Sequence, residues 1–236
     1  MKTQKKICAI DSCARILSVS VSNGENIFSE ESHEELKHSE HIMGLIDNQI
    51  KKASLKPCDL EGILCMAGPG SFTGLRIGYS TAKGLALALS IPFASVPTLD
   101  CIAFQRTANN TPKLVLAVIE ARKNAYFYAF YNFPAPDLPQ RLTAIADGCP
   151  QQINEAVNQY SENLVLTGPG CDLLYESLPP ETREKIVLQY EKKGYSNEII
   201  RLAQITSILD NDNMGCLYSG PEYYRESDAQ ARFGVV

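Results

Sequence analysis

The order of apolar patterns in this chain runs through once and then starts again. Residues 6–10 form a short apolar strand, and 15–22 alternate apolar and polar as a half-exposed strand does. Asn23-Gly24 is a two-residue hairpin signal, with 25–30 as the returning strand. A helix follows at 39–53, with Ile42, Ile46 and Ile50 on one stripe. A strand at 62–67, a Gly-rich loop at 68–74, a helix to about Ser90, a strand at 91–95 and a helix at 98–108 complete the first round. After Asn109-Asn110-Thr111-Pro112, which reads as a linker, the series repeats. It gives strands at 113–119, 125–132 and 140–145, a helix at 150–160, a strand at 163–167, a helix at 171–177, a strand at 186–190 and a helix at 196–209. The segment 133–139 carries three prolines and reads as a loop, and the tail after Asp210 has little periodicity. Three strands followed by alternating helices and strands, twice over, give two mixed sheets, each with an antiparallel hairpin edge and flanking helices. The division falls at 1–110 and 111–236, with a C-terminal tail able to return to the first half. A cleft between the sheets is the default ligand site.

Composition narrows the classes. The 236 residues are 44% hydrophobic and 21% charged, an ordinary globular balance. The net charge of −5 lies entirely beyond residue 110, and no basic block exists to neutralise phosphates, so tight autonomous nucleic-acid binding is not expected. The uncharged run Gly84–Leu99 is broken by Pro92 and Pro97 and is shorter than the ~20 residues of a membrane helix. The apolar stretch after Lys2, Lys5 and Lys6 is too short for a signal peptide, so a cytoplasmic protein is expected. Eight cysteines form no CxxC pair, and Cys8 and Cys65 sit in apolar runs as small core residues.

Candidate chemistry is sparse. Gly68-Pro69-Gly70-Ser71-Phe72-Thr73-Gly74 joins a strand to a helix, where backbone N–H groups can take an anion. It is neither a Walker A loop nor a dinucleotide fingerprint, and it reads equally as a structural turn with Thr73 as helix cap. Asp11, at the end of the first strand, either holds a nucleotide's cation or caps its own turn. His38 and His41, with Glu35 or Glu40 nearby, lack a third ligand at metal-site spacing. Ser71 lacks the nucleophile elbow, since Pro69 and Thr73 stand where glycines are needed. Glu120-Ala121-Arg122-Lys123 is read as a charged turn, either solvated or facing the cleft. Gly168-Pro169-Gly170 supplies phosphate-loop glycines to a second half, which keeps a small-molecule kinase using Asp11 and loop 68–74 on ATP as the alternative function.

The helix after the Gly-rich loop carries two stripes of small residues: Gly74, Gly78, Ala82 and Ala86, and beside them Ser80, Gly84 and Ala88. Interior glycines cost about 1 kcal/mol each against alanine, a loss that close packing recovers. One stripe is explained by the home sheet. Two stripes point to a partner helix.

GPGSFTGLRIGYSTAKGLALALSIP (68–92) closely resembles the signature of the TsaB (YeaZ) family. AIDSC (9–13), HSEHIMGLID (38–47), EARKNAYF (120–127) and PEYYR (221–225) support it. The resemblance implies an α/β, duplicated actin/hexokinase/Hsp70-like (ribonuclease H-like) fold. It also implies a non-catalytic subunit that pairs with and activates TsaD, which transfers a threonylcarbamoyl group to the adenosine next to the anticodon in tRNA, with TsaE joining them. It implies a homodimer when alone, tRNA contact only through the complex, no metal and no tightly bound cofactor, with ATP or ADP at most at the complex interface. On this reading Ile42, Ile46, Gly74, Arg76, Gly78, Ala82 and Ala86 bind the partner. Any nucleotide falls to Asp11, Ser12, Gly70 and Ser71, and no residue is catalytic. The paired substitution Gly78→Leu and Ala82→Leu is then expected to abolish pairing and leave the monomer folded.

Overall fold

The computed structural model describes residues 4–34, 37–105, 114–135, 138–161, 163–209 and 219–224. The expected linker at 109–112 lies outside them, as does the tail after Asp210 apart from 219–224. The first half builds β1 (Lys6–Asp11), β2 (Leu17–Asn23), β3 (Ile27–Ser32), α1 (His38–Lys52), β4 (Gly62–Gly68), α2 (Phe72–Leu89), β5 (Phe93–Pro97) and α3 (Thr98–Phe104). The second half builds β6 (Leu114–Arg122), β7 (Ala125–Ala135), β8 (Leu138–Arg141), β9 (Ala146–Gly148), α4 (Pro150–Val157) and β10 (Leu164–Thr167). It closes with α5 (Cys171–Ser177), α6 (Pro180–Arg183), β11 (Ile186–Leu188) and α7 (Ser196–Thr206).

The two halves have matching sheets. The first runs β3-β2-β1-β4-β5 and the second β11-β10-β6-β7-β8, with β9 also on β7. In each, an antiparallel hairpin joins parallel strands through the half's first strand. The matching strand orders carry the duplication that the pattern predicted.

Several local expectations change. The hairpin after β2 is a longer turn: Asn23 Oδ1 accepts from the N–H groups of both Glu25 and Asn26, and β3 starts only at Ile27. The proline-rich 133–139 is not a loop throughout, because β7 runs to Ala135 and β8 begins at Leu138. Its ladder with β8 is irregular between Asn132 and Ala135, the kind of place that tolerates Pro134. β9 and α6, three and four residues long, were below the reach of periodicity.

The largest correction is at β2. Its alternation predicted one solvated face, yet the strand is buried through Ser22. Ser18, Ser20 and Ser22 are at most 1% exposed, and α7 of the second half packs on this strand, with Ser196 on Ser18 and Ser20. Ser20 Oγ is 2.7 Å from Ser196 Oγ, and Ser18 Oγ accepts from the Ser196 N–H at 3.2 Å. In turn α3, which ends the first half, packs mainly on β6, β7 and β8. Each half therefore lends the last of its described helices to the other's sheet. The main core cluster holds residues of both sheets together with Leu99, Ile102, Ile199 and Ala203 from these two helices.

α1 and α2 cover the opposite face of the first sheet, in a cluster with Ile10, Val19, Ile63 and Phe93. Here the sequence reading needs a second correction. Ile42 and Ile46 are each 2% exposed and belong to that cluster. Gly74, Gly78, Ala82 and Ala86 all face inward. A Cβ on Gly74 would come within 2.0 Å of the Ser12 carbonyl oxygen, and one on Gly78 within 2.5 Å of Ser12 Oγ. The β1–β2 connection presses on the two glycines, and six of the seven residues assigned to a partner are buried inside the chain. Arg76 alone is exposed. Ser80, Gly84 and Ala88, the second stripe, are exposed, and among the described residues nothing lies within 4 Å of a Cβ at Gly84.

The two stripes have opposite responses to one methyl group. Gly78→Ala overpacks the Ser12 contact and is expected to destabilise the fold by about 1–3 kcal/mol. Gly84→Ala meets no other element among the described residues and is expected to gain up to about 1 kcal/mol in helix propensity. Thermal unfolding of the two variants beside the parent measures both.

Candidate functional site

A cleft of about 740 Å³ opens between the two sheets. The first half contributes Cys13, Arg15, His38, Gly70, Ser71 and Phe72. The second contributes Glu120, Phe127, Gly170, Asp172, Tyr190 and Lys193.

Its two ends are built alike. Gly68 and Gly168 each adopt φ +114°, a conformation that suits glycine alone. Each opens a Gly-Pro-Gly turn at the end of a central strand. The first turn presses on the β1–β2 connection: the Ser71 N–H donates to the Cys13 carbonyl at 2.8 Å, and a Cβ on Gly70 would come within 2.7 Å of that oxygen. The second presses on the end of β6: the Glu120 N–H donates to the Pro169 carbonyl at 3.0 Å, and a Cβ on Gly170 would lie 3.1 Å from Glu120 Cβ. α2 starts directly after the first turn. Its cap is Ser71, whose Oγ accepts from the Gly74 N–H at 3.2 Å, so the cap lies two residues before the expected Thr73.

Of the four residues expected at a nucleotide, Gly70 and Ser71 line the cleft. Asp11 and Ser12 do not. Asp11 is wholly buried, with Oδ1 accepting from the Cys13 N–H at 3.1 Å and Oδ2 from the Tyr195 N–H at 3.0 Å. Ser12 Oγ donates to the Gly74 carbonyl at 2.8 Å. Both side chains are consumed where β1 ends and are not presented to a ligand. Burial raises the Asp11 carboxyl above its ordinary value, opposed by hydrogen bonds from Cys13 and Tyr195.

The histidines separate. His38, nearly buried, reaches the Arg15 carbonyl at 3.2 Å, while His41 Nδ1 sits 2.9 Å from Ser32 Oγ. Glu35 lies outside the described residues. Among the described residues no three His, Cys, Asp or Glu groups are gathered as a metal site needs. The expected charged turn at 120–123 is instead the end of β6, with the turn itself at Lys123-Asn124. Only Glu120 and Ala121 of that stretch reach the cleft. The Glu120 carboxylate lies 3.9 Å from Arg15 of the first half, a loose pair across the gap. Cys8 and Cys65 are core residues, and burial pushes the Cys8 thiol up to about 12.

Sequence reasoning missed the crossing at 189–195. It lines the cleft with Tyr190, Lys192 and Lys193 and then ties down: the Gly194 N–H donates to Glu31 Oε1 at 2.8 Å. An irregular crossing has no periodicity to find; only Gly194 marks it, since a Cβ there would come within 2.2 Å of Ser18 Oγ.

Two mixed sheets of matching order, exchanged helices and a cleft floored by twin glycine turns define an actin-like duplicated fold. Two solved structures share it. A Pseudomonas aeruginosa protein described as similar to peptidase YEAZ matches at TM-score 0.80 with 20% identity, over 94% of this chain and all of that one. YeaZ from Pseudomonas aeruginosa matches at 0.79 with 19% identity, over 93% of this chain and all of that one. The family model for TsaD, tRNA N6-adenosine threonylcarbamoyltransferase, matches residues 11–176. The tRNA threonylcarbamoyladenosine biosynthesis protein TsaB of Escherichia coli (strain K12) is 30% identical over 168 residues, 70% of this chain and 71% of that protein. Its namesake in Bacillus subtilis (strain 168) is 28% identical over 54% of this chain and 55% of that one. The chain carries a TsaD-like domain and belongs to the TsaB (YeaZ) family. No helix among the described residues is long and apolar enough to cross a membrane.

Asp11→Ala would strip the acceptor from two buried backbone N–H groups, an expected loss of about 2–4 kcal/mol. Because the folded carboxyl titrates above the unfolded value of about 3.9, the parent's advantage is full below that pH and falls as pH rises through the folded value. Thermal unfolding of both proteins between pH 4 and pH 8 should show the gap narrowing upward.

Proposed function

We propose that this chain is a non-catalytic partner subunit in making threonylcarbamoyladenosine in tRNA, acting by pairing with and activating a TsaD-type transferase. Family membership supports the process. The observation that carries the mode of action is the exposed flank of α2. Gly84 weakens its helix by about 1 kcal/mol relative to alanine, yet among the described residues no other element comes within 4 Å of a Cβ there. Leu87 beside it is 63% exposed, and Met43 on the neighbouring α1 is 51% exposed. Small residues flanked by exposed large apolar ones suit the close approach of another helix. The interface therefore uses the outward faces of α1 and α2, with Ser80, Gly84, Leu87 and Ala88 in place of the inward stripe.

The same flank serves self-association when the chain is alone. A TsaE-type subunit joins the pair, and tRNA is reached through the assembled complex, in keeping with the net charge of −5. Any ATP or ADP belongs to the interface of that complex, in the cytoplasm. The kinase alternative needed Asp11 on ATP, and that carboxylate is sealed by two backbone amides.

The test is co-purification with the TsaD-type subunit of the same genome, followed by tRNA modification with and without this chain. Modification that requires the chain supports the reading, and modification indifferent to it overturns it. Gly84→Arg should weaken pairing at least about tenfold, or 1.4 kcal/mol, with an unchanged circular dichroism spectrum. Undiminished pairing would move the interface elsewhere.

A further inference from the structure

Residues 219–224 touch both walls of the cleft and α2. The Ser219 carbonyl accepts from Lys83 Nζ on α2. The Glu222 N–H donates to the Ala67 carbonyl at 2.8 Å, at the end of β4. The Glu222 carbonyl passes so close to Gly68 that a Cβ there would come within 2.5 Å of it. Tyr223 stacks on Phe72, with ring centres 4.9 Å apart and planes 21° apart, and Arg76 Nε donates to its hydroxyl at 3.2 Å. Tyr224 lies on Phe127 at 6.3 Å, and its hydroxyl donates to Glu222 Oε2 at 2.5 Å. Phe72 and Phe127 both line the cleft, one from each half of the chain.

We infer that 219–224 is a staple between the two halves, which limits how far the cleft opens and links that opening to α2. The geometry gives three reasons. Tyr223 meets Phe72 of the first half and Tyr224 meets Phe127 of the second, so two consecutive tyrosines grip two walls at once. Contacts joined by so short a link act together: while one ring is seated, the other is held at high effective concentration near its own seat. And the staple is built to let go, since Tyr223 and Tyr224 are 45% and 37% exposed and neither belongs to the core. Arg76 and Lys83 stand on the helix whose outer flank is offered to a partner, so a shift of α2 is felt at the strap and passed to the wall that carries Phe127. The staple itself does not depend on the partner reading.

Hydrogen exchange on the full chain tests it, with Tyr223→Ala and Tyr224→Ala compared with the parent. Three amides report: Glu222 for the strap, Ser71 for the first wall and Glu120 for the second. Each substitution is expected to speed exchange at all three, by roughly two- to tenfold, the range set by one lost aromatic pair. Tyr223→Phe keeps the stack and should stay near the parent at all three. If Tyr223→Ala touches only Ser71 while Tyr224→Ala touches only Glu120, the strap is a local covering and the staple is refuted. Unchanged exchange at both walls refutes it equally.

Discussion

The whole arrangement hangs on how α7 is received by the first sheet. A helix from the end of the chain lies on a strand from its beginning, and the seat is polar. Ser18, Ser20 and Ser196 share hydrogen bonds, Glu31 holds the Gly194 amide, and Asp11 holds the Tyr195 amide. Apolar contact alone is non-directional and would allow the helix to slide. Buried polar partners fix its register, because any slip leaves groups unpaired at a cost of about 1–3 kcal/mol each. With α7 fixed, the crossing at 189–195 is fixed, and with it one wall of the cleft.

Asp11 shows how a carboxylate beside a cleft can be spent on the fold itself. The residue ends β1 beside the glycine turn, where a ligand-facing carboxylate would be well placed. Here both oxygens are occupied by backbone amides, one from its own turn and one from the far half. Ser12 is likewise turned onto α2. These two side chains at the base of the cleft bind the protein to itself.

The duplication was legible because it is written in hydrophobic order, and the order of elements follows from it. The helix stripes were legible as stripes, but their directions were not. Gly78 and Gly84 look alike in a sequence; one faces the Ser12 hydroxyl and the other is exposed. The serines of β2 misled for the same reason, since alternation reports polarity and not whether a later helix will cover the polar side. Asp11 was noticed, but the amide that claims it lies 184 residues away. The strap showed only as a short motif, because an irregular segment held by two rings and one backbone bond has no period.

The exchange of helices also bears on synthesis. The first half leaves the ribosome with β2's serine face bare, and its cover arrives only with residues 196–206. Until then a sheet with buried-grade hydrogen-bonding groups on one face and α1 and α2 on the other is complete in outline but unfinished in chemistry. Chains of this size commonly pass through such partly covered states. For this protein the serine face of the nascent first half stays open to water until residues 196–206 have been made.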